Sequence, residues 1–129
     1  MPPSKINSNI LYERLLRFAQ RCQELIKKLP KTIYNIEYCK QLIRSSASPG
    51  SNYIEAIEAT GRKDFTYRLK ICRKETKESL HWLRLIQSSN QDMIQVQKDA
   101  RDLINEGQEL IRIFTSSILT SEKNSGISK

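Results

Sequence analysis

Apolar or small side chains recur at alternating steps of three and four residues in four segments of the chain. This spacing places each set on one face of a helix. The four stripes are Leu11, Leu15, Phe18, Cys22, Leu25 and Leu29; then Ile36, Cys39, Ile43, Ser46, Gly50, Tyr53 and Ile57; then Phe65, Leu69, Cys72, Thr76, Ser79, Leu83 and Ile86; and finally Val96, Ala100, Leu103, Gly107, Leu110, Phe114 and Ser117. Short polar connections near residues 30–35, 60–61 and 88–92 separate them. The pattern predicts an all-α, antiparallel up-down four-helix bundle.

The second stripe contains a Pro-Gly pair, Pro49-Gly50, within "RSSASPGSNYIEA". Such a pair usually marks a turn, but the apolar spacing continues in phase across it. We therefore expect one helix over roughly residues 34–59, with a structural kink at Pro49 and Gly50, because proline removes one backbone hydrogen bond. The hydroxyls of Ser45 and Ser46 would partly satisfy the freed groups. A break at 48–51, which would give five helices, is the alternative.

Length and composition favour a single soluble domain. The chain has 129 residues, of which 38% are hydrophobic and 28% charged, within the range of a compact globular domain. We assign the bundle to residues 1–120 and a flexible polar tail to 121–129. The start lacks the apolar core of a signal peptide, and no apolar run is long enough to cross a bilayer. These features predict a cytoplasmic protein.

The third helix carries two further sectors beside its core stripe. One is cationic: Arg62, Lys63, Lys70, Arg73, Lys74, Lys77, His81 and Arg84. With a formal net charge of +8 and a pI near 9.6, this cationic stripe is a candidate site for nucleic-acid phosphates. The other interpretation is a solvated face with internal pairs such as Lys74 with Glu78. The second sector is apolar, comprises Tyr67, Ile71, Trp82 and Leu85, and is a candidate oligomer interface.

Residues for catalysis or metal binding are not arranged in any known pattern. His81, the single histidine, has no carboxylate or serine motif beside it, and no nucleophile elbow, phosphate-binding glycine loop or HExxH motif occurs. Cys22, Cys39 and Cys72 lie on the core stripes without metal-ligand spacing, which predicts reduced core thiols. We expect no enzyme activity, no cofactor and no metal.

Three segments resemble a known bacterial family. "QLIRSSASPGSNYIEA", "GRKDFTYRLKI" and "RKETKESLHWLRLI" are similar to motifs of the four-helix-bundle proteins encoded in intervening sequences of large-subunit ribosomal RNA genes. The resemblance covers about residues 41–86. It implies a homopentamer and kinship with the accessory variability determinant of diversity-generating retroelements, a basic pentamer that binds nucleic acid beside a reverse transcriptase. Pro49-Gly50 departs from that pattern, which often has isoleucine or valine there.

Sequence and resemblance together predict a non-catalytic, homo-oligomeric protein that binds RNA or DNA electrostatically and with weak sequence preference. Self-association, nucleic acid and a reverse transcriptase are the implied partners. One alternative is a protein-interaction scaffold whose basic stripe serves solubility only. Binding to a membrane surface is a third interpretation, which the core-committed helices disfavour.

Overall fold

The computed structural model describes residues 7–125, which form four α-helices. They are α1 (Ser8–Lys27), α2 (Ile33–Ile57), α3 (Arg62–Ser89) and α4 (Ile94–Ser125). Consecutive helices pack on each other, and α4 also packs on α1, so that the four enclose one core. Bonds from Ser79 to Ser45 and from Arg68 to Asn52 show that α2 and α3 run antiparallel. The predicted all-α bundle is confirmed.

Side chains before the first turns explain where α1 and α2 begin. The Asn7 side-chain oxygen accepts a hydrogen bond from the Ile10 amide at 2.9 Å, and the Thr32 hydroxyl accepts one from the Asn35 amide at 3.1 Å. Each satisfies an amide that lacks a partner within its helix. Gly61, in the predicted second connection, immediately precedes α3 in an extended conformation.

Helix α2 continues without interruption through Pro49. The alternative of a break at 48–51 and five helices is therefore wrong. The predicted role of the serine hydroxyls differs from the structure: Ser45 Oγ donates to the Leu42 carbonyl and Ser46 Oγ to that of Ile43. Neither acceptor is the carbonyl of Ser45, which the proline leaves without its helical donor. The kink at Pro49 and Gly50 remains a prediction.

Two parallel stripes, offset by one residue, run along α2. The inner seam is buried and consists of Asn35, Cys39, Leu42, Ser46, Pro49, Tyr53 and Ala56. The outer seam consists of Ile36, Lys40, Ile43, Ala47, Gly50, Ile54 and Ile57, all exposed except half-buried Gly50. The stripe predicted from the sequence mixed the two and is wrong for its isoleucines, which lie outside. Both seams repeat in steps of four and three, so spacing alone could not separate them.

The buried residues of α1, α3 and α4 agree with their predicted stripes more closely than those of α2 do. Phe18, Phe114 and Leu83 are among the fully buried side chains.

Helix α4 continues into the segment assigned to the tail: Ser121 is buried and bonds Thr66 of α3 at 2.5 Å. Residues 121–125 thus belong to the bundle, while 126–129 lie outside the described residues. Among the four helices described, none is long and apolar enough to cross a membrane.

Candidate nucleic-acid interface

The cationic stripe follows the outer face of α3 along most of its length. Of its eight members all are exposed except half-buried Arg73, whose guanidinium donates to the Thr115 hydroxyl of α4 at 3.3 Å. Lys63, Lys70, Lys77 and Arg84 are each seven residues apart, or about 10.5 Å along the helix axis. The sequence-predicted residues therefore form one continuous surface about 31 Å long.

Among residues 7–125, most of these cations lack an acidic partner. Lys70 forms a salt bridge with Glu122 of α4 at 2.8 Å. Within residues 7–125, no acidic side chain forms a salt bridge with Lys63, Lys74, Lys77 or Arg84. A solvated face with internal pairing, the competing interpretation, would neutralise its lysines at spacings of three or four. The expected pair of Lys74 with Glu78 does not form.

Arg44 of α2 is the reason why Glu75 and Glu78 of α3 do not pair with the stripe. Its guanidinium bonds Glu75 at 3.1 Å and also contacts Glu78. Burial alone would lower the pKa of Arg44, but the bond to Glu75 and the attraction of both carboxylates raise it above its ordinary value. Both carboxylates are thus held towards α2, and α3 presents cations to solvent.

The apolar sector predicted as an oligomer interface is only partly open. Tyr67 is 59% exposed. Ile71, Trp82 and Leu85 are half-buried, and Trp82 packs on the core. The indole N–H of Trp82 is buried without an acceptor among the described residues. This sector therefore offers less free apolar surface than its sequence suggests.

A larger apolar surface, missed in the sequence, is the outer seam of α2. Ile36, Ile43, Ile54 and Ile57 are between 41% and 51% exposed. Half-buried Gly50 lies beside α1, where an added Cβ would meet Tyr12 and Leu15 at about 4 Å. The spacing of the isoleucines is the sequence feature that could have revealed this surface, but the same spacing is typical of a core stripe. Exposed apolar surface of this kind is typical of contacts with another protein.

A buried amide pair, also missed in the sequence, closes one end of the bundle. Asn35 of α2 and Asn90 after α3 exchange two side-chain hydrogen bonds at 2.9 and 2.8 Å. Asn35 also bonds the Pro30 carbonyl and Asn90 that of Ile86. The four bonds fasten the α1–α2 connection to the α3–α4 connection. An asparagine on a helical stripe looks like an exposed residue in sequence, because its partner is 55 positions away.

The three cysteines are free and buried, as predicted. Burial raises the pKa of both Cys22 and Cys72 to about 12 and also raises that of Cys39. Cys72 Sγ donates to the carbonyl of Pro49 at 3.4 Å. Protonated, enclosed thiols are poor nucleophiles and poor metal ligands. The described part of the chain contains no group of three or more side chains able to hold a metal ion.

The fold and the site together define the class of protein: a four-helix bundle with one cationic outer face. The chain belongs to the 23S rRNA-intervening sequence protein family, whose sequence model matches residues 7–116. It is also similar to a crystal structure described as a protein of unknown function from the S23 ribosomal protein family of Bacteroides thetaiotaomicron. The two are 29% identical with a TM-score of 0.76, over 88% of this chain and 98% of that one. No curated protein matches this chain.

Proposed function

We propose that this protein is a non-catalytic, homo-oligomeric nucleic-acid-binding protein with weak sequence preference. The observation that carries the proposal is the row of exposed cations on α3, of which only Lys70 has an acidic partner among residues 7–125. A cation already paired with a carboxylate gains little from a phosphate, whereas an unpaired one releases the counterions of the nucleic acid at little cost. Binding of this kind depends on backbone charge and hardly on base identity.

Self-association would multiply this charge. One chain has a formal net charge of +8, and the homopentamer that the family resemblance implies would carry five times as much. The outer seam of α2 supports self-association, because its isoleucines have the spacing of packed helices and yet are exposed in the bundle. Its one charged member, Lys40, is the kind of residue that sets the register of such a contact at a cost in stability.

The test is binding of RNA and DNA across a salt series, with two double variants of equal charge. Lys74→Glu with Lys77→Glu removes two stripe cations that have no acidic partner among residues 7–125. The control, Arg17→Glu with Lys27→Glu, removes two cations from α1, of which Lys27 pairs with Glu24 at 3.4 Å. We expect the first variant to weaken binding at least tenfold and to reduce the salt slope by roughly one to two. The control should lose much less. A flat salt response, or equal losses in both variants, would overturn the proposal.

A protein-interaction scaffold is the second candidate, and the exposed isoleucines of α2 are the observation that favours it. In that case the cations would serve solubility only. Capture of partners with and without nuclease separates the two functions, because partners held through nucleic acid are released by nuclease. A reverse transcriptase, the partner implied by the resemblance, belongs in the same experiment as a defined candidate.

A further inference from the structure

A row of four aromatic rings crosses from α2 to α3 beside the cationic stripe. Ring centres are separated by 6.5 Å between Tyr34 and Tyr38, 6.1 Å between Tyr38 and Trp82, and 4.8 Å between Trp82 and His81. The row begins in the first turn of α2 and ends on the outer face of α3. It is the largest connected group of rings in the described part of the chain.

The row is anchored in its middle and open at both ends. Tyr38 and Trp82 are half-buried and pack against the core. Tyr34 at one end is 61% exposed, and His81 at the other is also exposed. Each outer ring lies against a half-buried one, Tyr34 against Tyr38 and His81 against Trp82, which limits its freedom before any ligand arrives. A rigid, exposed ring loses little conformational freedom on binding.

The charges around the row are those that a nucleic-acid strand requires. His81 lies four residues after Lys77 and three before Arg84, so all three share one helical face. Neither Lys77 nor Arg84 has an acidic partner within the described residues. The acids beside the row are already occupied, because Glu78 contacts Arg44 and Glu37 pairs with Lys40 at 3.6 Å. Phosphates can therefore bind on one side of His81 while the rings lie on the other.

We propose that this row is a stacking site for unpaired bases, so that the protein prefers single-stranded nucleic acid over a duplex. The inference rests on the proposed function and specifies its substrate. Stacking of bases on aromatic rings beside a cationic track is a general mode of single-strand binding, and it tolerates any base because every base has a ring face. The bases of a duplex are already stacked and cannot offer that face.

The single tryptophan of the chain, Trp82, supplies the readout. We would titrate the protein with a poly-dT oligonucleotide and with a duplex of equal length, and follow its fluorescence. We expect quenching and tighter binding with the single strand. Tyr34→Ala should weaken single-strand binding about 5- to 100-fold, with little effect on the duplex. Tyr34→Phe keeps the ring and should retain binding.

Ile33→Ala is the matched control, because Ile33 precedes Tyr34 in the same turn and is 73% exposed but has no ring. Both positions are exposed, so neither variant should unfold, which circular dichroism checks. Equal affinity for single strand and duplex, unchanged by Tyr34→Ala, would overturn the stacking inference and leave electrostatic binding intact. Binding of neither nucleic acid would overturn the proposed function as well.

Discussion

The two faces of α2 contrast in an unexpected way. The inner seam contains Asn35, Ser46 and Pro49, whereas the outer seam contains four isoleucines. A helix of an isolated bundle normally has the opposite arrangement. Inside, hydrogen bonds compensate the small polar residues: Ser45 bonds Ser79, and Asn35 bonds Asn90. Outside, nothing in the described chain covers the isoleucines. The contrast is the basis of our proposal that the inner face serves close packing and the outer face serves contact with another protein.

The largest expected effect comes from adjacent aliphatic residues on the two seams. Leu42 is fully buried and Ile43 is 51% exposed. Leu42→Ala should lower the free energy of unfolding by about 2–5 kcal/mol, because it leaves a cavity. Ile43→Ala should cost within about 0.5 kcal/mol in the monomer. Urea denaturation at low protein concentration measures both. If both variants lost the same stability there, our assignment of the two seams would be wrong.

Protein concentration sharpens the same comparison. If a second copy covers the outer seam, the cost of Ile43→Ala should rise as the concentration rises, because assembly contributes to the apparent stability. The cost of Leu42→Ala should change little. A cost of Ile43→Ala that is independent of concentration would argue against self-association through this face.

A charge on the outer seam should disrupt assembly without unfolding the bundle. Ile43→Glu with Ile54→Glu places two carboxylates in the middle of the exposed stripe, where burial against a partner would desolvate them. We expect a lower molar mass by light scattering and unchanged helicity. The α3 variant Lys74→Glu with Lys77→Glu is the control and should keep the mass of the parent protein. If the α3 variant lost molar mass and the α2 variant kept it, the interface would lie on α3. The sequence predicts it there, at Tyr67, Ile71, Trp82 and Leu85.

The reactivity of the three buried thiols tests how well the core of the bundle is enclosed. Burial raises the pKa of Cys22 and Cys72 to about 12. Both should resist alkylation at pH 8 in the folded protein, while Cys39, which is 9% exposed at the edge of the core, should react first. Mass spectrometry with iodoacetamide checks the order. Faster labelling of Cys22 or Cys72 than of Cys39 would contradict the burial described above.

The same shifts give the sign of a pH dependence. Above the ordinary thiol pKa of 9.0 the unfolded chain loses thiol protons that the folded chain retains up to about pH 12. The unfolded state then binds fewer protons, so the free energy of unfolding falls as pH rises through this window. Replacing Cys22 and Cys72 by alanine should reduce the slope of that fall, whatever the variant does to stability at pH 7.

Much of the fold could be predicted because the predicted stripes of α1, α3 and α4 agree closely with the residues that are buried. In α2 the isoleucines repeat at the spacing of a core stripe, and the true core residues Ser45 and Asn35 resemble surface positions. Their burial depends on partners 34 and 55 residues away, a relation that periodicity does not contain. The cationic stripe was predicted residue by residue, since one helix carries it. Glu75 and Glu78 of α3 pair with Arg44 of α2. The sequence of α3 alone could not predict this pairing.

The smallest expected effect concerns two glycines in different surroundings. At Gly50, on the outer seam, an added Cβ would meet Tyr12 and Leu15 at 3.9 and 4.0 Å, which is ordinary contact. Gly50→Ala should therefore stabilise the protein by about 0.5–1 kcal/mol through helix propensity. At Gly107, inside the bundle, a Cβ would lie 2.3 Å from Leu80 Cδ2 and 3.2 Å from its Cγ. Gly107→Ala should gain less or destabilise, because Leu80 must move within a packed core. Thermal unfolding of both variants compares the faces directly. If Gly50→Ala lowered the melting temperature, a close partner at the outer seam would need that glycine bare, and the loss should then disappear on dilution to the monomer.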